Sequence, residues 1–369
     1  MSSTTNAPLM WAPPTMNNPT IVDLSKTGSQ TYWSFSPNQD VIFLGASGTD
    51  TNSKLQVQGG HNVMLLGGDF QPHGQATGTL QFDGLTGAAW VDGVHIDNKY
   101  ATGGQDAIDF AGAAGTQPDL TVQNSLIENV NGAKSSGHAD VVQTQGPAGN
   151  LHFYNLTGTT NYQGLFISPQ YQPETKSATL DNVNLSYTGA TTNDGSAISY
   201  LLWTLDDKSE TPYPISFHNV NVVPRAGETA DQTVWPTSSM GAVQNGNSIS
   251  FPNMPYTGSV TLGAPAANYA DSSKLGLHFT DAQTIVNAVT TGGTLVTVGA
   301  STGSGSGSTG SGSTGGSTGG STGSGSTGGT SHHDTLHVTD AHGSAMQHGF
   351  GGLTQLTTMA DLVHQQHLA

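Results

Sequence analysis

Cysteine is absent from the chain, so neither disulfides nor thiolate-bound metals contribute to it. Cations are nearly as scarce: eight Lys and Arg stand against 25 Asp and Glu, for a formal charge of -17, and Arg225 is the only arginine. Nucleic-acid binding needs cationic surface, so that class is set aside. The same acidity repels uronate or sulfate polymers over about one Debye length, ~8 Å, unless a cation bridges them. No run approaches the ~20 apolar residues of a membrane span. The opening MSSTTNAPLMWAPPTMNNPT lacks both the basic start and the apolar stretch of a secretory signal.

What remains is a chain rich in small and β-forming residues. It has 50 glycines, 34% apolar residues and only 9% charged ones, a balance that predicts an all-β protein. A motif recurs: apolar, polar, Asn, a small or apolar residue, any residue, apolar. Its clearest copies are Val122–Ile127, Leu180–Leu185 and Phe217–Val222, with a shorter one at Phe153–Leu156. Glycine replaces Asn in Val91–Ile96. The predicted slot positions are Asn62, Gly93, Asn124, Asn155, Asn182, Asn219 and Asn253. Asn and Gly share the slot because both tolerate the left-handed backbone of a sharp bend. Stacked Asn amides can also bond to one another, for a net ~0.5–1.5 kcal/mol each.

This ladder, with the early run QGGHNVMLLGGDF, resembles the right-handed parallel β-helix proteins of the pectate-lyase-like superfamily over roughly residues 20–270. The resemblance implies three short parallel strands per coil and a substrate groove along the third-to-first strand face. The expected layout is an N-terminal cap at 1–40, the solenoid at 41–270 and a C-terminal cap at 271–300. Residues 301–330 contain only Ser, Thr and Gly and read as a flexible linker. Residues 331–369 carry seven of the fourteen histidines and a possible amphipathic helix. The tail resembles the terminal targeting segment of bacterial type I secretion substrates. That implies a secreted or cell-surface protein, with the export machinery as a partner. The spacing of the tail histidines matches no metal motif.

Candidate chemistry lies on the third strand of each coil. The column Leu80, Ile108, Val142, Leu165 and Ile198 is predicted to face inward. Gln81, Asp109, Gln143, Phe166 and Ser199 then face outward, because side chains alternate along a strand. Asp109, His138 and Asp140 are the candidate catalytic groups: paired carboxylates suit glycoside hydrolysis, and a histidine base suits a lyase or epimerase. Asp106, Gln143, Gln145, Gln163, Tyr162, Phe166 and Lys134 are the candidate substrate-binding residues. Carboxylates and amides match the mixed donor–acceptor character of sugar hydroxyls, and Tyr100 and Tyr162 could stack on sugar rings. Asp106, Asp109 and Asp140 are also a candidate Ca2+ site.

HADVVQ resembles the His-x-Asp-x-x-Gln pattern of some carbohydrate-active β-helix proteins. The Asp-Pro-His-Asp run of mannuronan epimerases and the arginine-rich groove of pectate lyases are both missing. The expected ligand is a neutral or weakly acidic polysaccharide. Cleavage, or non-catalytic glycan binding by an adhesin or matrix protein, are both open at this point.

Overall fold

The computed structural model describes residues 10–46, 53–74, 78–101, 104–134, 137–168, 174–189, 199–205, 210–265, 270 and 289. The chain divides into two units, Met1–Thr302 and Gly303–Ala369, and every described residue belongs to the first. The predicted linker and His-rich tail therefore lie outside the described residues.

The described part is all-β and mostly parallel. Its strands fall into two sheets, one of 13 strands and one of eight, between which the chain alternates. The long sheet is built on Asp119–Val130, Asn150–Thr160, Ser177–Tyr187 and Ile215–Val223. The short sheet runs through Tyr32–Phe35, Leu55–Gly59, Leu80–Leu85, Ile108–Gly112, Val142–Thr144, Leu165–Phe166, Leu202–Trp203 and Val234–Trp235. An antiparallel hairpin, Val243–Asn245 with Ser248–Ser250, adds to Tyr256–Leu262 at the end of the long sheet.

Parallel pairing in strict register fills the space between the sheets. On the long sheet Val91, Val122, Phe153, Leu180 and Phe217 are successive partners. On the short sheet Leu55, Leu80, Ile108, Val142, Leu165, Leu202 and Val234 are. All are essentially inaccessible to water, and burying such a side chain contributes ~1.5–3 kcal/mol.

The motif asparagines lie within single long strands rather than between two. Asn124, Asn155, Asn182 and Asn219 hold φ between 49° and 55°, the left-handed conformation expected of a sharp bend. Their amides form a chain: Asn219 donates to Asn182 at 3.0 Å, Asn182 to Asn155 at 3.1 Å and Asn155 to Asn124 at 3.0 Å. Asn124 then donates to the Asp92 carboxylate at 2.7 Å. An aspartate suits this end, because it only accepts. Two shorter stacks are built the same way: Asn129 donates to Asp97, and Asn150 to Asp119, with Ser177 on Asn150.

Two of the seven predicted slots are wrong. Asn62 is no corner: its N–H donates to Asp40 and its amide to the Thr15 carbonyl. Gly67, at φ 61°, takes the corner, and its N–H donates to Asp92, next to Gly93. At the far end Gly258 (φ 79°) replaces Asn253, and a Cβ there would come within 2.0 Å of the Phe217 carbonyl oxygen. The last predicted short-sheet position also shifts. Leu165 pairs with Leu202 and Phe166 with Trp203, so Leu202 and Trp203 take the places expected of Ile198 and Ser199. A slip of four residues preserves the inward–outward alternation, so period-two patterning cannot detect it. Ile198 itself is outside the described residues.

Residues 10–16 do not close an end of the stack. They run over the outer face of the long sheet, where Met16 N–H donates to the Val289 carbonyl at 3.1 Å. Val289 belongs to the segment expected to form the C-terminal cap. Among the described residues no helix is long and apolar enough to cross a membrane.

Candidate functional site

The outward face of the short sheet carries one continuous column. Tyr32, Gln56, Gln81, Asp109, Gln143, Phe166, Trp203 and Trp235 are successive register partners. Two residues along the strands, Ser34, Gln58, Asp83 and Ala111 form a second column. The Gln56 amide donates to Gln81 Oε1 at 2.7 Å. The face is therefore polar over its first rungs and aromatic over its last.

The strand entries bring the acidic residues together. Asp106 Oδ1 accepts the Asp140 N–H at 2.8 Å, and its Oδ2 accepts the Gln145 amide at 3.1 Å. The Gln143 amide, oriented with its nitrogen toward the acids, lies 3.3 Å from Asp140 Oδ2 and 3.2 Å from Asp106 Oδ2. Asp140 Oδ1 is buried without a partner. Asp109, one rung from Gln143, meets no hydrogen-bond donor among the described residues. Asp106, Asp109 and Asp140 are 7%, 6% and 0% exposed; Gln145 is exposed and Gln143 half-buried.

Burial governs their ionisation. It lifts Asp106 to about 7, against the opposing pull of the Asp140 N–H and the Gln145 amide. Asp109 is held well above the ordinary carboxylate range by burial, then by the negative charges of Asp106 and Asp83. Asp140 is raised likewise by burial, then by Asp106 and Asp109. Burial also raises half-covered Asp83, opposed by the Gly84 N–H. Burial thus favours the protonated acids on this face, beside the exposed Gln145 amide, an arrangement suited to donating a proton or to bonding hydroxyls.

The other predicted residues are dispersed around this centre. Gln163 is 3% exposed at the next strand entry. Tyr162 is buried, with its ring 5.5 Å from that of His138, so it presents no open face to a sugar. His138 is half-buried, and Lys134 is exposed on the loop before it. Phe166 packs on Trp203 at 4.8 Å, within an aromatic group completed by Tyr200 and Trp235. Tyr100 is exposed and stacks on His73 at 4.9 Å. The calcium arrangement expected of Asp106, Asp109 and Asp140 is not formed: among the described residues no three His, Asp or Glu side chains are placed to hold a metal. Asp106 instead accepts a backbone N–H. Arg225 is buried, paired with Glu228 at 2.9 Å and set 3.6 Å over the Tyr187 ring, so it is a strut rather than a groove cation.

Sequence reasoning puts Asp83 on the outward face, in one column with Gln145 and Ser168, without making it a site residue, and it leaves out Gln58 and Trp235. Asp83 and Gln58 alternate with Phe82 and Val57 along their strands, a signal sufficient to find them. Trp235 sits on a two-residue strand, too short for any alternation. Comparison with protein-family models, curated proteins and solved structures gives no match for this chain.

Proposed function

We propose that this chain is a right-handed parallel β-helix of the pectate-lyase-like kind that binds an uncharged polysaccharide along the outer face of its short sheet and hydrolyses it there. The observation that carries this reading is Asp109: a nearly buried carboxyl, at the centre of a register-aligned row of glutamines, whose burial favours its protonated form. A carboxylic acid so placed can protonate a glycosidic oxygen. Asp83 stands diagonally one rung away, ~8 Å between Cα atoms from strand rise and spacing, and is the second carboxylate, the one that activates water. The glutamines bond the sugar hydroxyls, and the net charge of -17 argues for a neutral polymer.

Asp140 and Asp106 hold the floor rigid in this scheme. Their burial supports a second reading, in which the face binds glycan without cleaving it. The acidic, cysteine-free composition and the His-rich tail support export to the cell surface or medium through a bacterial secretion machinery.

The test is digestion of a panel of neutral and acidic polysaccharides with wild type, Asp109→Asn, Asp140→Asn and His138→Ala. Product from wild type and none from Asp109→Asn, with binding retained, is expected. Binding without product from any polymer leaves the non-catalytic reading, and neither binding nor product removes both.

A further inference from the structure

The outer face of the long sheet carries a second constructed site, remote in character from the acidic one. Gln123 is a long polar side chain with no exposure at all. Its Oε1 accepts the N–H groups of Met10 (3.1 Å) and Trp11 (3.4 Å), while its Nε2 donates to the Trp11 carbonyl at 3.1 Å. One amide thus reads both the main-chain donor and the main-chain acceptor of a single residue, Trp11. On the adjoining strand the His152 ring stacks under the Trp11 indole (4.6 Å, 26°), and Tyr154 meets it edge-on at 6.1 Å. Further along, the Asn62 amide donates to the Thr15 carbonyl at 3.3 Å.

The alternation of the sheet puts all four of these groups on one side. Gln123 pairs with Tyr154, His152 with Thr121, and Thr121 with Trp90, which pairs with Met64 and then Ile42. Trp90, Met64 and Ile42 are at most 2% exposed although they point away from the main core. The segment held by Gln123, His152 and Asn62 contains Pro13 and Pro14, whose fixed φ lowers the entropy lost on docking. Among the described residues this segment pairs with no strand. A ring anchor, backbone hydrogen bonds and a stiff proline-containing stretch are the components of a peptide-recognition groove.

We propose that this face is a displaceable peptide clamp for an extended Trp-x-Pro-Pro segment, occupied in cis by the chain's own residues 10–16 and open to the same segment of a second copy when that strap lifts. Asn17 and Asn18 form the hinge: the Asn17 N–H is tied to Asp40 at 2.6 Å, and Asn18 turns the chain at φ 46°.

The test uses the full chain and a fluorescent peptide of residues 7–17. Wild type binds it weakly, because a tethered segment competes at an effective concentration in the millimolar range. Full-length Trp11→Ala, whose own strap has lost its anchor, binds it at least tenfold more tightly. Adding Gln123→Ala abolishes that gain, and a peptide with Ala in place of Trp does not bind. Met10→Pro, which removes one strap N–H and leaves the sheet untouched, is the second route to a lifted strap should Trp11→Ala fail to fold. Equal binding to wild type and Trp11→Ala places the peptide elsewhere and overturns the proposal. So does absence of binding in a folded variant whose residues 10–12 exchange hydrogen freely.

Discussion

Two polar stacks in this molecule obey opposite rules. Along the long sheet the asparagine amides satisfy one another, and the series ends on a carboxylate that accepts the last donor. On the short sheet, the carboxyls of adjoining rungs are raised by burial and, at Asp109 and Asp140, by neighbouring charge, and Asp140 Oδ1 has no partner among the described residues. The first arrangement stabilises the fold. The second costs stability, and such costs concentrate where a protein does chemistry. Identical stacking geometry therefore serves structure in one place and reactivity in the other.

The sharpest way to break this contrast is at Asp109. If the short-sheet face is reactive, Asp109→Asn lowers the rate of polysaccharide cleavage by ~10²–10⁴-fold, the usual contribution of a general acid. The folded state survives, because the amide resembles the neutral acid already present. Activity unchanged by this substitution would return the acidic stack to a structural role.

The next effect is thermodynamic. Between the ordinary carboxylate value of 3.8 and about 7 the folded protein keeps a proton on Asp106 that the unfolded chain has released. Stability is therefore full at low pH and falls as pH rises through that window. For Asp106 alone the loss is on the order of 4 kcal/mol. Asp92, also lifted to about 7 by burial, adds in the same direction. Burial lowers His152, which works the opposite way below the usual imidazole range. Denaturant titrations at pH 5 and 8 measure the slope, and Asp106→Asn, which keeps an oxygen for the Asp140 N–H, isolates its share by flattening the curve.

The asparagine stack makes the complementary prediction. Asn155→Ala loses two ladder bonds, ~1 kcal/mol each, and the ease of a left-handed residue, ~1 kcal/mol or more. The expected cost is about 3 kcal/mol, independent of pH. Asn155→Gly restores the conformation but not the bonds, so it recovers about a third of that loss. If both variants cost the same, the backbone conformation contributes nothing.

How far each stack could be read beforehand follows from the same physics. The corner residues Asn124, Asn155, Asn182 and Asn219 were legible, because the left-handed bend admits few residue types and apolar neighbours mark its position. The end corners were not, because Gly67 and Gly258 sit among many glycines and a nearby Asn mimicked the motif. The inward column from Leu80 to Leu165 followed from alternation alone. The shift from Ile198 to Leu202 escaped it, since four residues is two periods. Which acids meet was legible from register. Their burial was not, because it is decided by loops that alternation does not describe, and burial sets their protonation.

The smallest effect discriminates most finely between the stacks. Gln145 is exposed and donates to Asp106 Oδ2 at 3.1 Å. An amide N–H favours the ionised acid, which is why it pulls Asp106 downward. Removing it with Gln145→Ala therefore has almost no consequence at pH 5, where Asp106 carries its proton. At pH 8 the carboxylate has lost a donor, and the cost is at most ~1 kcal/mol for so exposed a partner. The equivalent loss at Asn155 is the same at both pH values, because its partners Asn124 and Asn182 do not titrate. A pH-independent cost at Gln145 would mean that Asp106 does not change its protonation across this range, and the two stacks would then differ in composition but not in kind.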